Sequence, residues 1–285
     1  MSAIFGPAGT GISFNEMGYK HSTEVFQYLK HFDLDCFEYQ CGHGVRVKEE
    51  TANAIGFAAE KEGVILTLHA PYYISLSSID EEKRDNSVKY ILDSARAADW
   101  MGAKRIVIHS GSAAKLDRAT ALEYAKQTLK KSLETLDENK LGHITVCPET
   151  MGRINLLGTL EEVIELCQID ERLIPCVDFG HLNARTFGGL KKKSDFEDIL
   201  DKIQNALGDE RMKNLHIHFT KIEYSKTAGE VKHLTFEDKK FGPEFRPLCE
   251  LIIKKNMSPI IICESNGTQT EDAQTMKLLY NKMSV

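Results

Sequence analysis

Residues 100–112 read WMGAKRIVIHSGS, and what lies on either side of Gly102 decides the fold. Upstream, NSVKYILDSARAADWMG (86–102) spaces its apolar residues three and four apart, as an amphipathic helix does. Gly102 then stands where a helix C-cap belongs, and RIVIH follows as a short β-branched run ending in His109. The same order recurs at KEGVILTLH, with Gly63 before the run that ends in His69. Working outward, the strand candidates are Ala3–Gly6, Asp35–Tyr39, Val64–His69, Arg105–His109, His143–Glu149, Leu173–Asp178, Asn214–His218 and Pro259–Glu264, eight in all. Strands alternating with helical stretches such as Asp117–Leu136 predict parallel βαβ units. Eight such units fit a closed (β/α)8 TIM barrel, read as a single domain over residues 1–285, better than an open doubly wound sheet. No dinucleotide or P-loop glycine signature follows an early strand. The polar segment Phe219–Pro247 reads as a long loop of the kind that covers a barrel's active site.

The chain has 285 residues, 42% of them hydrophobic and 27% charged, as expected of a globular protein with a full core. No run approaches the 18 apolar residues or so of a membrane helix, and the N-terminus has no basic region followed by an apolar stretch. The expectation is a cytoplasmic monomer without membrane contact. Seven cysteines, with no C-x-x-C pair, read as small buried residues in a reducing compartment. A net charge of −6 would ordinarily argue against a nucleic-acid partner. Three bound Zn²⁺ would add about +6 at one site, so the global charge does not decide the question.

The last residue of each apolar run carries the chemistry. ILTLH ends at His69, RIVIH at His109, HITVCPE at Glu149, LIPCVD at Asp178, LHIH at His218 and PIIICE at Glu264. In a barrel those strand ends converge on one pocket. His181, three residues after Asp178, and His233, on the long polar segment, extend the set, and Glu230 is the acid nearest His233. His216 and His218 point the same way along one strand; nearness to the strand end favours His218 as ligand and leaves His216 behind it. Imidazoles and carboxylates without thiolates suit Zn²⁺, with Mn²⁺ or Fe²⁺ as alternatives. So many ligands exceed the needs of one ion and point to a multinuclear site with a bridging carboxylate.

LHAPY (68–72), HSGS (109–112), PETMG (148–152), CVDFGH (176–181), the His216/His218 strand with Lys232–His233, and ICES (262–265) together resemble the endonuclease IV family of apurinic/apyrimidinic endonucleases. The likeness covers nearly the whole chain. It implies a zinc barrel, with two to three ions per chain, that hydrolyses the phosphodiester on the 5′ side of an abasic site in duplex DNA. Carried over, His69 and His109 would hold one zinc and Glu149, the catalytic centre, would bridge to a second. Asp178, a strand-seven histidine and Glu264 would complete that second ion, and His181 and His233 the third. Tyr72 and Tyr73 match positions where the family inserts side chains into DNA. Two departures stand out. The family's Asp-x-His pair becomes Val231-x-His233 here, with Glu230 one residue further back. Aligning HIHFTK (216–221) on the family's lysine would make His216 the ligand, against the strand-end reading of His218.

The alternative is a single-metal sugar isomerase or epimerase of the xylose isomerase-like barrel group, with Glu149, Asp178, His218 or His216, and Glu264 around one ion. In that reading His69, His109, His181 and His233 have no compulsory role.

Overall fold

The computed structural model describes residues 2–113 and 115–284. Its strands are β1 (Ile4–Pro7), β2 (Cys36–Gln40), β3 (Ile65–His69), β4 (Arg105–Ile108), β5 (Thr145–Pro148), β6 (Cys176–Asp178), β7 (His216–Phe219), β8 (Ile222–Ser225), β9 (Gly229–His233) and β10 (Ile260–Cys263). Every one of the eight expected strands is present, with ends shifted by up to three residues. Parallel pairing runs β6–β7–β10–β1 in one arc and β2–β3–β4–β5 in the other. Parallel bridges Ala8–Glu38 and Glu149–Cys176 join the arcs at both seams and close the barrel.

Helix termini show why the sequence alternates so regularly. Asp80 accepts from the Glu82 N–H at the start of the Glu81–Trp100 helix, and Asp117 from the Thr120 N–H before Arg118–Glu138. Thr159 and Glu162 form a capping box on Leu160–Cys167. Gly63 ends the Glu49–Glu62 helix at φ 64°, a left-handed turn that leads straight into β3.

Side chains alternate across each strand with a period of two. Phe5, Leu66, Leu68, Ile106, Ile108, Val146, Val177, Ile217 and Ile261 face outward into the main core under the helices. Cys36, Ile260 and Ile262 form one small cluster inside the barrel, and Val107, Cys147 and Cys176 another. Two residues further along the same inward rows come Glu38, Glu264, His109, Glu149 and Asp178. The barrel is thus plugged with apolar and thiol groups below and opens polar above. All seven cysteines are buried and unpaired, as the sequence implied. Among the described residues no helix is long and apolar enough to cross a membrane.

The Phe219–Pro247 segment corrects the sequence reading. It is no plain loop but folds into the antiparallel hairpin β8–β9. Glu223 pairs with Lys232 and Tyr224 with Glu230, so Val231 is an extra residue, a β-bulge.

Candidate metal centre

Glu149, fully buried, is the hub. Its Oε2 lies 3.4 Å from His69 Nε2 and 3.2 Å from His109 Nε2. Its Oε1 lies 3.2 Å from His218 Nδ1 and 3.4 Å from His181 Nδ1. One carboxylate therefore faces a separate pair of imidazoles with each oxygen. His218 Nδ1 is also 3.4 Å from Glu264 Oε1, and Asp178 Oδ2 is 3.2 Å from His181 Nδ1. On the hairpin side Glu230 stands 3.4 Å from His181 Nε2 and 3.9 Å from His233 Nε2.

The second nitrogen of most of these rings is tied down. His69 Nδ1 donates to the Ala70 carbonyl at 2.8 Å, His181 Nδ1 to Thr150 at 2.9 Å and His233 Nδ1 to Glu264 at 3.0 Å. In the neutral ring each such bond keeps the proton on Nδ1 and so reserves Nε2 for a metal, directed at Glu149 in His69 and at Glu230 in the other two. His218 is turned the other way: its Nε2 faces Glu38 Oε1 at 3.1 Å, and its Nδ1 faces Glu149 and Glu264. Asp178 Oδ2 is buried without a hydrogen-bond partner. Candidate donor atoms within 4.8 Å of one another form the groups His69–Glu149–His218, Glu149–Asp178–His218–Glu264 and His181–Glu230–His233. Imidazole nitrogens around shared carboxylates, with an orphaned acid oxygen among them, fit divalent ions of the zinc type.

Glu38 escaped the sequence reading. It is completely buried on β2, 2.9 Å from His216 Nε2, and accepts from Thr67 Oγ1 at 3.1 Å. An acid two places along an inward row from Cys36 was the available signal, but a lone Glu inside a strand run does not announce itself. His216 has moved the other way. It sits against Glu38 and beside Cys176, while His218 is the β7 imidazole that reaches Glu149 and Glu264. Burial lowers the His216 imidazole to about 4, against the pull of Glu38. Burial alone would raise Glu38, yet His218 and His216 hold its carboxyl well below the usual range.

Charge within the cluster is strongly redistributed. Burial acts to lower His69, but its hydrogen bond to Glu149 and that residue's charge outweigh this and lift it to about 9. His181 is raised well above an ordinary histidine, Asp178 against burial. Burial raises the Asp178 carboxyl to about 6, whereas Glu264, beside His218, falls to about 2 despite its burial.

His69, His109, Glu149, His181, Glu230, His233 and Glu264 line a cavity of about 540 Å³ at the C-terminal ends of the strands, together with Gln40, Tyr72, Met151 and Arg153. A larger cavity of about 720 Å³ at the other end of the barrel has no histidine in its lining, so the chemistry belongs to the smaller one. Tyr72, 52% exposed, stands at the mouth with its hydroxyl 3.1 Å from His43 Nδ1. Tyr73, also exposed, packs edge-on against Tyr90 and does not line the cavity.

A closed parallel barrel with imidazoles and carboxylates converging on its C-terminal mouth defines the class: a TIM barrel with a metal-type centre. The chain belongs to the xylose isomerase-like TIM barrel family, which it matches over residues 26–281. It is 31% identical over 280 residues to an uncharacterized protein of Methanocaldococcus jannaschii, covering 98% of this chain and 97% of that one. It is 30% identical to a probable endonuclease 4 of Staphylococcus carnosus over 166 residues, 55% of this chain and 53% of the relative, so the match spans about half of each. Among solved structures it resembles a D-tagatose 3-epimerase-like protein (TM-score 0.71, 19% identity, 90% of this chain and 92% of that one). It is similar also to endonuclease IV from Thermus thermophilus (TM-score 0.68, 18% identity, 98% of this chain and 99% of that one). At such identities both structures speak for the fold alone.

Proposed function

We propose that this protein is a zinc-dependent phosphodiester hydrolase acting on duplex DNA, with the abasic site as its target and the 5′ phosphodiester as the bond cleaved. The observation that carries the reading is the surplus of donors. Around Glu149, Asp178, His218 and Glu264, which suffice for one ion, the chain adds His69 and His109 on one oxygen of Glu149. It further adds the His181–Glu230–His233 group at the hairpin. A one-metal enzyme has no need of them. Bound divalent ions would supply Lewis acidity toward a phosphate group and its attacking water. The chain's own residues do the rest. Glu149 ties the imidazole pairs together, the carbonyls of Ala70, Thr150 and Glu264 hold the rings in one tautomer, and Tyr72 at the rim meets the displaced nucleotide. Glu230 takes the part of the acid absent from position 231.

A second reading, a one-metal sugar epimerase or isomerase, is favoured by the compact Glu149–Asp178–His218–Glu264 quartet. There Glu149 and Glu264 would move a proton at the carbon beside a carbonyl. Two measurements separate the readings. Elemental analysis of purified protein is expected to give two to three metals per chain, and a duplex with one abasic site is expected to be nicked until a strong chelator is added. One metal per chain, no nicking and turnover of a ketose would establish the epimerase instead.

A further inference from the structure

Among the residues lining the metal-donor cavity, Arg153 is the sole lysine or arginine. Its side chain is exposed, and among the described residues it makes neither a hydrogen bond nor an ion pair. That is unexpected for a cation whose cavity also presents Glu149, Glu230 and Glu264, any of which would attract it.

The segment that carries it explains why it stays apart. Residues 151–156 have no regular structure, yet two other arginines hold their carbonyls. Arg185 donates through Nη1 to Met151 and Arg153 at 3.0 and 2.7 Å, and through Nη2 to Ile154 and Leu156 at 3.2 and 3.1 Å. Arg118 donates to Ile154 and Leu156 at 3.1 and 3.0 Å, and is itself fixed by Glu162 at 2.7 Å. On the opposite side the loop is joined to the hairpin, where Ile154 N–H donates to Ala228 and Glu230 N–H to Gly152. A rim loop ordinarily moves; this one is preorganised on both sides and presents one unpaired guanidinium to the site.

We propose that Arg153 is a substrate-binding residue that grips a phosphate oxygen of the ligand at the mouth of the metal centre. Guanidinium forks match phosphate geometry, and a rim position outside the acids' reach leaves the fork free for the ligand. In the reading above, which this inference deepens, the oxygen belongs to the DNA backbone beside the scissile bond.

The test uses metal-loaded protein, with R153Q and R153K beside the wild type and metal content verified in each. On a duplex containing one abasic site, R153Q is expected to raise KM about tenfold with kcat within about twofold, and R153K to recover most of the loss. The slope of log KM against log salt is expected to fall by about one in R153Q. Calorimetry with inorganic phosphate provides an arm independent of DNA, where the dissociation constant is expected to rise about tenfold in R153Q. If the wild type does not nick but phosphate binding weakens in R153Q, the anion site stands and the nuclease reading fails. If KM, salt slope and phosphate affinity all match the wild type, or only kcat changes, Arg153 does not bind the ligand's phosphate and the inference is wrong. Phosphate affinity equal in both proteins, with no nicking by either, rejects it as well.

Discussion

Glu149 and His233 are both within reach of candidate ions, but they are not equivalent. Glu149 faces imidazoles on both its oxygens, whereas His233 stands 3.9 Å from the carboxylates of Glu230 and Glu264. Glu149→Gln is therefore expected to lower activity by about 10³-fold or more and His233→Ala by about tenfold, read as initial nicking rates. Equal losses would show that Glu149 does not link the imidazole pairs. Glu38 acts one layer deeper. An unpaired buried carboxylate is costly, so its contacts with His218, His216 and Thr67 are what keep it ionised in the barrel. Only its contact with His218 Nε2 commits that ring to offering Nδ1 upward. Glu38→Gln preserves shape but removes the charge, and is expected to weaken metal affinity about 10- to 100-fold in a chelator-competition titration. Wild-type affinity in that variant would make Glu38 a packing residue only.

At the scale of elements, the eight barrel strands were legible as short apolar runs alternating with helical stretches, six of them stopping at a ligand-type residue, and because glycines mark the helix ends before β3 and β4. The β8–β9 hairpin was not, since its residues are mixed in polarity and its phase is broken. Glu230 and His233, three apart, would point to opposite faces of a regular strand. The bulge at Val231 shifts the phase by one residue and turns both toward His181, leaving Val231 44% exposed. A fixed acid-x-His spacing therefore misreads the site, although Glu230 was visible as the nearest acid. The hairpin is seated by Gly152, where an added Cβ would lie 2.6 Å from Glu230 Cβ and 3.0 Å from His181. Gly152→Ala is thus expected to push the hairpin off and to lower the metal content by about one ion per chain, while the ions at Glu149 remain. Unchanged stoichiometry by elemental analysis would mean that the hairpin residues hold no metal.

Over the whole molecule, the net charge of −6 conceals a concentration of acids at one end of the barrel, where Glu149, Asp178, Glu230 and Glu264 converge. Charge far from that mouth is screened beyond about 8 Å in physiological salt, so the local field, not the global sum, governs what binds there. Cationic charge must balance the acids, and protons and metal ions compete to provide it. In the protein without metal, His69 keeps its proton up to about pH 9 and His181 and His218 are held above the ordinary histidine range, so all three are imidazolium at pH 7. A metal ion needs the neutral ring, so its binding must expel these protons. Acid tightens the proton's hold and weakens the metal's, so affinity is expected to rise from pH 6 to pH 9. Titration calorimetry at pH 7 in two buffers of different ionisation enthalpy counts the protons. A release of more than one proton per chain is expected, and heats independent of the buffer would show that the imidazoles stand neutral before the metal arrives.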